Sequence, residues 1–254
     1  MIDVQEVEVC AARFGVPETQ IVRDHLISHV IAALAEVSDS TDMNITFFGG
    51  TALCRTWLAD LRLSEDVDIL VDDVEVVDEL TRAISRSLRR QFPEHSWSTP
   101  TTKHQVSTLN LVTSNCNVKV QLAQWREGWR SIPTTKAAVV LRYSDLPENV
   151  ELEVPAPEGF AVMKMLAWFD RQTPRDRYDL AALAEAGHIT ERSIALVKNI
   201  AGFRPSPTNL VPKVPQPVSN AWAAELSHQL TSIKSAETCL GMVRNALANH
   251  DRTS

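Results

Sequence analysis

Between Phe48 and Asp73 the chain reads FGGTALCRTWLADLRLSEDVDILVDD, and two short patterns in this stretch suit the handling of phosphates. Gly49-Gly50-Thr51 stands between an apolar run and an expected helix. Glycines at such a turn let backbone approach a phosphate without steric cost. Asp66-Val67-Asp68 opens a second apolar run, 16 residues after Gly50. On a strand, acids two apart project from one face, and carboxylates that close repel each other unless a cation lies between them. A divalent ion with hard oxygen ligands answers that repulsion, and Mg²⁺ so held commonly binds substrate phosphates too. In this order the two patterns describe a site for in-line displacement at phosphorus, with metal bridging the carboxylates and a triphosphate. Each alone has a plainer meaning: a strand-to-helix turn, or a solvated strand end.

A second group follows Pro157. Lys164 lies within the apolar run Met163-Lys164-Met165-Leu166-Ala167-Trp168. Lysine is seldom fully buried without a partner. Its ordinary reading is a stem that reaches water, whereas beside a triphosphate it would neutralise charge developing in the transition state. Next comes Arg175-Asp176-Arg177-Tyr178-Asp179-Leu180, after a Pro174 suited to a helix start. Asp176 and Asp179 share a face at i, i+3, and acids in a first turn complement the helix dipole. Arg175 and Arg177 are placed to pair with them or with phosphate.

These residues need elements to position them. The periodicity predicts helices over 4–14, from Pro17 to about Val37, and over Ala52–Leu58. It predicts a buried strand Ile45–Phe48, the DxD strand Val67–Val71, and an amphipathic helix Val74–Phe92 with a basic far end. Gln105–Thr113 and Asn117–Ala123 alternate about Ser114-Asn115, a hairpin signature. Lys136–Tyr143 and Val150–Val154 are expected as further strands, and Pro155 and Pro157 end the β-rich part. Helices are expected over Glu158–Arg171, Arg175–Ala186 (stopped by Gly187), Glu191–Ala201, 219–232 and 235–249. Residues 204–217 hold five of the 13 prolines and read as a linker or extended strap rather than a packed element. The expected division is a first domain over 1–155 and a helical region over 156–254 carrying Lys164 and Asp176.

The bulk properties narrow the class. The chain has 254 residues with 44% hydrophobic and 22% charged content, ordinary for a soluble globular protein. No run is long enough for a membrane helix, and the acidic, amphipathic start MIDVQEVEVC is unlike a signal peptide. The expected location is the cytoplasm, with no membrane partner. Cys10, Cys54, Cys116 and Cys239 form no metal-ligand spacing and read as reduced. A formal charge of −7 argues against a nucleic-acid-coated surface but leaves room for a local basic groove.

With the motifs laid out, the chain resembles the AbiEii/MenT-type nucleotidyltransferase toxins. The resemblance rests on GGTAL, then Arg62-x-Ser64-x-Asp66-x-Asp68, then Lys164, then the RDxYDL of Arg175 to Leu180, in that order over residues 48 to 180. It implies an α+β fold: a polymerase-β-like nucleotidyltransferase core, a mixed sheet with flanking helices, plus a helical C-terminal lobe. It implies that Gly49, Gly50 and Thr51, with Arg62 and Ser64, cradle a nucleoside triphosphate. Asp66 and Asp68 would hold Mg²⁺ or Mn²⁺, Lys164 would contact the nucleotide phosphates, and Asp176 would be a base or an organiser. Asp179 and Arg175 are secondary candidates. The acceptor implied is the 3′ end of tRNA, so that aminoacylation and translation stop, and a cognate antitoxin would control the toxin. One departure is visible: the strand Val118–Leu122, where a third acid would be expected, offers only Gln121.

Two other readings use the same residues. A small-molecule nucleotidyltransferase of the antibiotic-modifying kind would keep the chemistry and change the acceptor. A non-catalytic module would bind a nucleotide or partner protein, which the intact acids and Lys164 oppose. Ser64, beside the expected triphosphate, is also a candidate for inhibitory phosphorylation. His25 and His29 have metal-binding spacing, but no third ligand is evident in the sequence and the pair reads as structural. Trp125 and Trp129 with Arg126 and Arg130 could stack on bases or close a core edge. The Arg82, Arg86, Arg89, Arg90 row reads as a solvated face or an RNA-backbone track. Trp168 and Tyr178 read as core.

Overall fold

The computed structural model describes residues 2–59 and 61–251. The chain divides into two compact units, one of residues 1–125 with 135–154, the other of 126–134 with 155–254. Among the described residues, no helix is long and apolar enough to cross a membrane.

The first unit begins with helices α1 (Val4–Phe14) and α2 (Glu18–Ser40). Asp3 caps α1 by accepting from the Gln5 and Glu6 amides, and Gly15 ends it in the left-handed conformation at φ 63°. Pro17 stands just outside α2 as its cap. Helix α2 is buried on nearly every side, the polar Gln20, Asp24, His25 and Ser28 included, and packs against α1 and, further on, the sheet. Then come β1 (Thr46–Phe48), the five-residue helix α3 (Gly49–Leu53), β2 (Asp66–Val71) and, after a 3₁₀ turn at Val74–Val76, α4 (Val77–Leu88).

Strands β3 (Ser96–Trp97), β4 (Thr101–Lys103), β5 (Val106–Val112), β6 (Asn117–Gln124), β7 (Thr134–Ala138) and β8 (Glu151–Pro155) complete an eight-stranded mixed sheet. Its order is β3-β5-β6-β2-β1-β8-β7, with β4 also on β5. Strands β5 and β6 form the expected antiparallel hairpin. β2 is antiparallel to β1 and parallel to β6, and so sits centrally.

Three expectations need correction here. The helix placed at Ala52–Leu58 instead begins at Gly49 and ends by Leu53, because Arg55 turns inward to pair with Asp24 and the chain tightens into turns. The strand expected to reach Tyr143 stops at Ala138; beyond it Arg142 adopts φ 74°, and its side chain and that of Tyr143 also turn to Asp24. Two short strands, β3 and β4, extend the sheet where none was expected.

The second unit is helical: α5 (Pro157–Arg171), α6 (Pro174–Glu185), α7 (Glu191–Ala201), α8 (Gln216–Leu226) and α9 (Ala236–Asp251). Helix α6 packs against α5, α8 and α9, and α5 also packs on α7. Prolines open α5, α6 and α8, where the missing N–H is no loss. Gly187, at φ 78°, follows α6. The Pro-rich strap is packed, contrary to its reading as a linker. Leu210 and Val211 are buried, Trp168 donates from its indole to the Leu210 carbonyl at 2.8 Å, and Arg244 donates to the carbonyls of Val211 and Pro212. Trp168 and Tyr178 are core residues, as expected.

Candidate active site

Along β2 the burial alternates: Val67 and Ile69 point into the core, while Asp66 and Asp68 share the other, partly exposed face. The strand can carry both charges because its remaining residues supply the apolar burial. Phe48, the last residue of β1, lies opposite Asp68. The chain therefore turns into α3 directly beside the acid-bearing end of β2.

That turn is built for glycine twice over. Gly49 has φ 80°, a conformation other residues adopt only with strain. A Cβ there would overlap the Asp68 carboxylate, with Asp68 Cβ and Cγ each 3.0 Å away. A Cβ at Gly50 would run into the Arg62 guanidinium and stand 3.2 Å from Ser64 Oγ. Thr51 Oγ1 donates to the main-chain oxygen of Asp66, tying the first turn of α3 to β2. Gly49, Gly50, Thr51, Arg62, Ser64, Asp66 and Asp68 thus form one cluster.

The parallel pairing of β2 with β6 sets two more side chains beside the acids: Lys119 opposite Asp66 and Gln121 opposite Asp68. Lys119 Nζ is 3.0 Å from Asp66 Oδ2, both side chains being partly exposed at 39% and 27%. Gln121 occupies the register expected for a third acid, and its amide nitrogen donates to Thr108 Oγ1 at 3.1 Å. Lys119 was not singled out in the sequence; only the register reveals it. The donors present are two carboxylates on one strand face, with Lys119 paired to Asp66. That set suits a hard divalent ion.

A buried network holds the turn in place. Asp24 on α2 accepts from Arg55 Nη2 at 2.8 Å, Arg142 Nη1 at 3.2 Å and the Tyr143 hydroxyl at 2.8 Å. Arg55 in turn donates to the Val140 carbonyl at 2.9 Å and Arg142 to that of Cys54 at 2.9 Å. The segment after α3 and the segment after β7 are therefore both tied to α2. A charge within the apolar pattern of α2 is the one sequence signal for this network.

In the second unit Lys164, Asp176 and Asp179 meet. Lys164 Nζ is 3.1 Å from Asp176 Oδ1 and 2.7 Å from Asp179 Oδ2, and all three side chains are buried. Arg171 adds a two-pronged pair to Asp176, at 2.6 Å from Nε and 2.9 Å from Nη2. Thr173 Oγ1 donates to Asp176 Oδ2 at 2.7 Å and caps α6 by accepting from the Asp176 amide. Burial by itself would raise the Asp176 pKa, but Lys164, Arg171 and Thr173 outweigh it and hold this carboxyl well below the ordinary carboxylate range. Arg175 lies apart from the cluster, 3.7 Å from Glu225. Arg177 is buried over the Trp168 ring at 3.7 Å from its centroid, and its guanidinium nitrogens have no hydrogen-bond partner among the described residues.

The family model described as "Nucleotidyl transferase AbiEii toxin, Type IV TA system" matches residues 32–239. Among solved structures, MenT4, a nucleotidyltransferase toxin from Mycobacterium tuberculosis H37Rv, aligns with a TM-score of 0.63 at 17% identity, covering 91% of this chain and 83% of that one. A crystal structure from H. pylori, provisionally assigned as a nucleotidyltransferase, gives 0.58 at 19% identity, covering 93% and 97%. At such identities these likenesses concern the fold. No curated protein matches the chain.

Proposed function

Because this chain belongs to the AbiEii family of nucleotidyltransferase toxins of type IV toxin–antitoxin systems, and is a nucleotidyltransferase of that kind, we propose that it transfers nucleotides from a nucleoside triphosphate to the 3′ end of tRNA in a Mg²⁺-dependent reaction. The observation that carries the reading is the placement of Asp66 and Asp68 on one face of β2, against the Gly49-Gly50 turn. In the reaction a terminal hydroxyl oxygen bonds to the α-phosphorus, the bond from that phosphorus to the pyrophosphate breaks, and the hydroxyl proton is lost.

Asp66 and Asp68 would hold Mg²⁺, which when bound offsets phosphate charge and favours deprotonation of the attacking hydroxyl. The Gly49-Gly50 turn admits the triphosphate to the backbone, and Arg62 and Ser64 beside Gly50 offer it a cation and a hydroxyl. Lys119, now neutralising Asp66, is placed to follow the charge onto substrate. Lys164 is proposed to serve the nucleotide phosphates. The depressed pKa of Asp176 makes it a poor base, so its proposed role is to position Lys164. A blocked tRNA end would stop aminoacylation and translation, a cytoplasmic action that a cognate antitoxin would restrain.

The test is incubation of the purified protein with Mg²⁺, total tRNA and each α-labelled nucleoside triphosphate in turn, with Asp66→Ala as the control. Label entering tRNA with the wild type alone is expected. Absence of label with all four triphosphates would overturn tRNA as acceptor and turn the search to small molecules.

A further inference from the structure

Helix α2 carries His25 and His29 one turn apart, and the tertiary structure supplies the third ligand that the sequence did not show. His25 Nε2 is 3.0 Å from both carboxylate oxygens of Asp145. His29 Nε2 is 3.4 Å from Asp145 Oδ2, and the two ring nitrogens are 3.1 Å apart. Three potential ligand atoms thus form a compact triangle from separate parts of the chain.

Protons alone account poorly for this triangle. It has three polar edges, and each Nε2 carries at most one proton. With both protonated, two N–H groups crowd one edge; with one, an edge is left without a donor. A single cation satisfies all three edges at once. For Zn²⁺ with bonds of about 2.0–2.1 Å, tetrahedral ligand atoms stand about 3.3–3.4 Å apart. The observed edges of 3.0, 3.1 and 3.4 Å are near that spacing.

The surroundings agree. Gln91 donates to Asp145 Oδ2 at 3.0 Å, an outer contact of the kind that orients ligating carboxylates. A cavity of about 250 Å³, lined by His25, Gln91, His95 and Cys116 among others, adjoins the triangle at His25.

We propose that His25, His29 and Asp145 form a zinc site with three protein ligands and a fourth position open to water. It shares no residue with the Asp66/Asp68 cluster. Asp24 on α2 already takes Arg142 and Tyr143, and the ion would clamp the next turn of α2 to the same segment. The test uses full-length protein stripped with chelator and titrated with Zn²⁺ by calorimetry and metal analysis. One equivalent is expected for the wild type, with a raised melting temperature. His29→Ala and Asp145→Ala, at partly exposed positions, are expected to lose that uptake, and Gln91→Ala, which removes only the outer hydrogen bond to Asp145, to weaken it by about 10- to 100-fold. If either ligand variant fails to fold by circular dichroism, the visible spectrum of the Co²⁺-loaded wild type against Gln91→Ala decides, a tetrahedral signature being expected. No stoichiometric uptake by the wild type, equal uptake by the folded variants, or no tetrahedral Co²⁺ spectrum would overturn the proposal.

Discussion

Gly49 and Asp68 are locked together: the glycine has φ 80°, and the Asp68 carboxylate fills the space its side chain would need. The first prediction follows from that contact. Gly49→Ala must either move Asp68 or shift the turn, besides about 1–3 kcal/mol of backbone strain. A displacement near 1 Å at a reacting centre costs about 100-fold in rate. Transfer by Gly49→Ala is therefore expected to fall by about that factor while the protein still folds. Assay beside circular dichroism checks it; near-wild-type transfer would remove Asp68 from the metal site.

Gln121 stands in register with Asp68 where an acid would complete a three-carboxylate set. A further negative ligand strengthens binding of a hard cation. Gln121→Asp is expected to lower the Mg²⁺ concentration for half-maximal transfer several-fold. An unchanged metal titration would show that this position does not face the ion.

Lys119 and Asp66 form a partly exposed ion pair, and such pairs contribute about 0–1 kcal/mol to stability. Lys119→Met should leave the denaturant midpoint nearly unchanged. If the lysine follows charge onto the triphosphate, kcat/KM should drop by about tenfold, equivalent to about 1.4 kcal/mol. Equal kcat/KM in variant and wild type would assign Lys119 to the surface alone.

Ser64 lies against the same turn as Gly50. Unit charges 4 Å apart interact by about 1 kcal/mol in water and about 4 kcal/mol near a protein surface. Ser64→Glu is therefore expected to raise KM for the nucleoside triphosphate at least about tenfold, and Ser64→Ala, which loses a hydroxyl but adds no charge, by a clearly smaller factor. Phosphorylation would act more strongly, and intact-mass analysis of protein coexpressed with its genomic neighbour should reveal it. Equal KM for Ser64→Glu and Ser64→Ala would separate Ser64 from the triphosphate.

Asp176 has a folded-state pKa held below its unfolded value of about 3.9. Its stabilisation is therefore complete above about pH 5 and is lost as pH falls below about 4 and on through the folded pKa. At neutral pH Asp176→Asn breaks a buried pair and should cost about 3–5 kcal/mol. The gap between variant and wild type in urea midpoint should narrow on acidification from pH 5 to pH 3. A gap independent of pH would show that the carboxylate charge is not what stabilises this cluster.

Much of the secondary structure was legible in the residues. The β5/β6 hairpin, α1, α5, α6 and α7 follow from local periodicity, capping and the positions of Pro and Gly, which act over a few neighbours. The order of the GG and DxD motifs also pointed to a nucleotidyltransferase, the activity of the family to which the chain belongs. What local pattern cannot contain is register and long-range pairing. Lys119 and Gln121 reach the acids only because β6 pairs in parallel with β2. Arg55, Arg142 and Tyr143 leave their expected helix and strand because the buried Asp24 carboxylate requires partners, wherever the chain supplies them. Asp145 meets His25 across a separation of 120 residues for the same kind of reason. The types of chemistry were set by composition and short spacing; which side chains share a site was decided by strand pairing and by the need to satisfy buried charge.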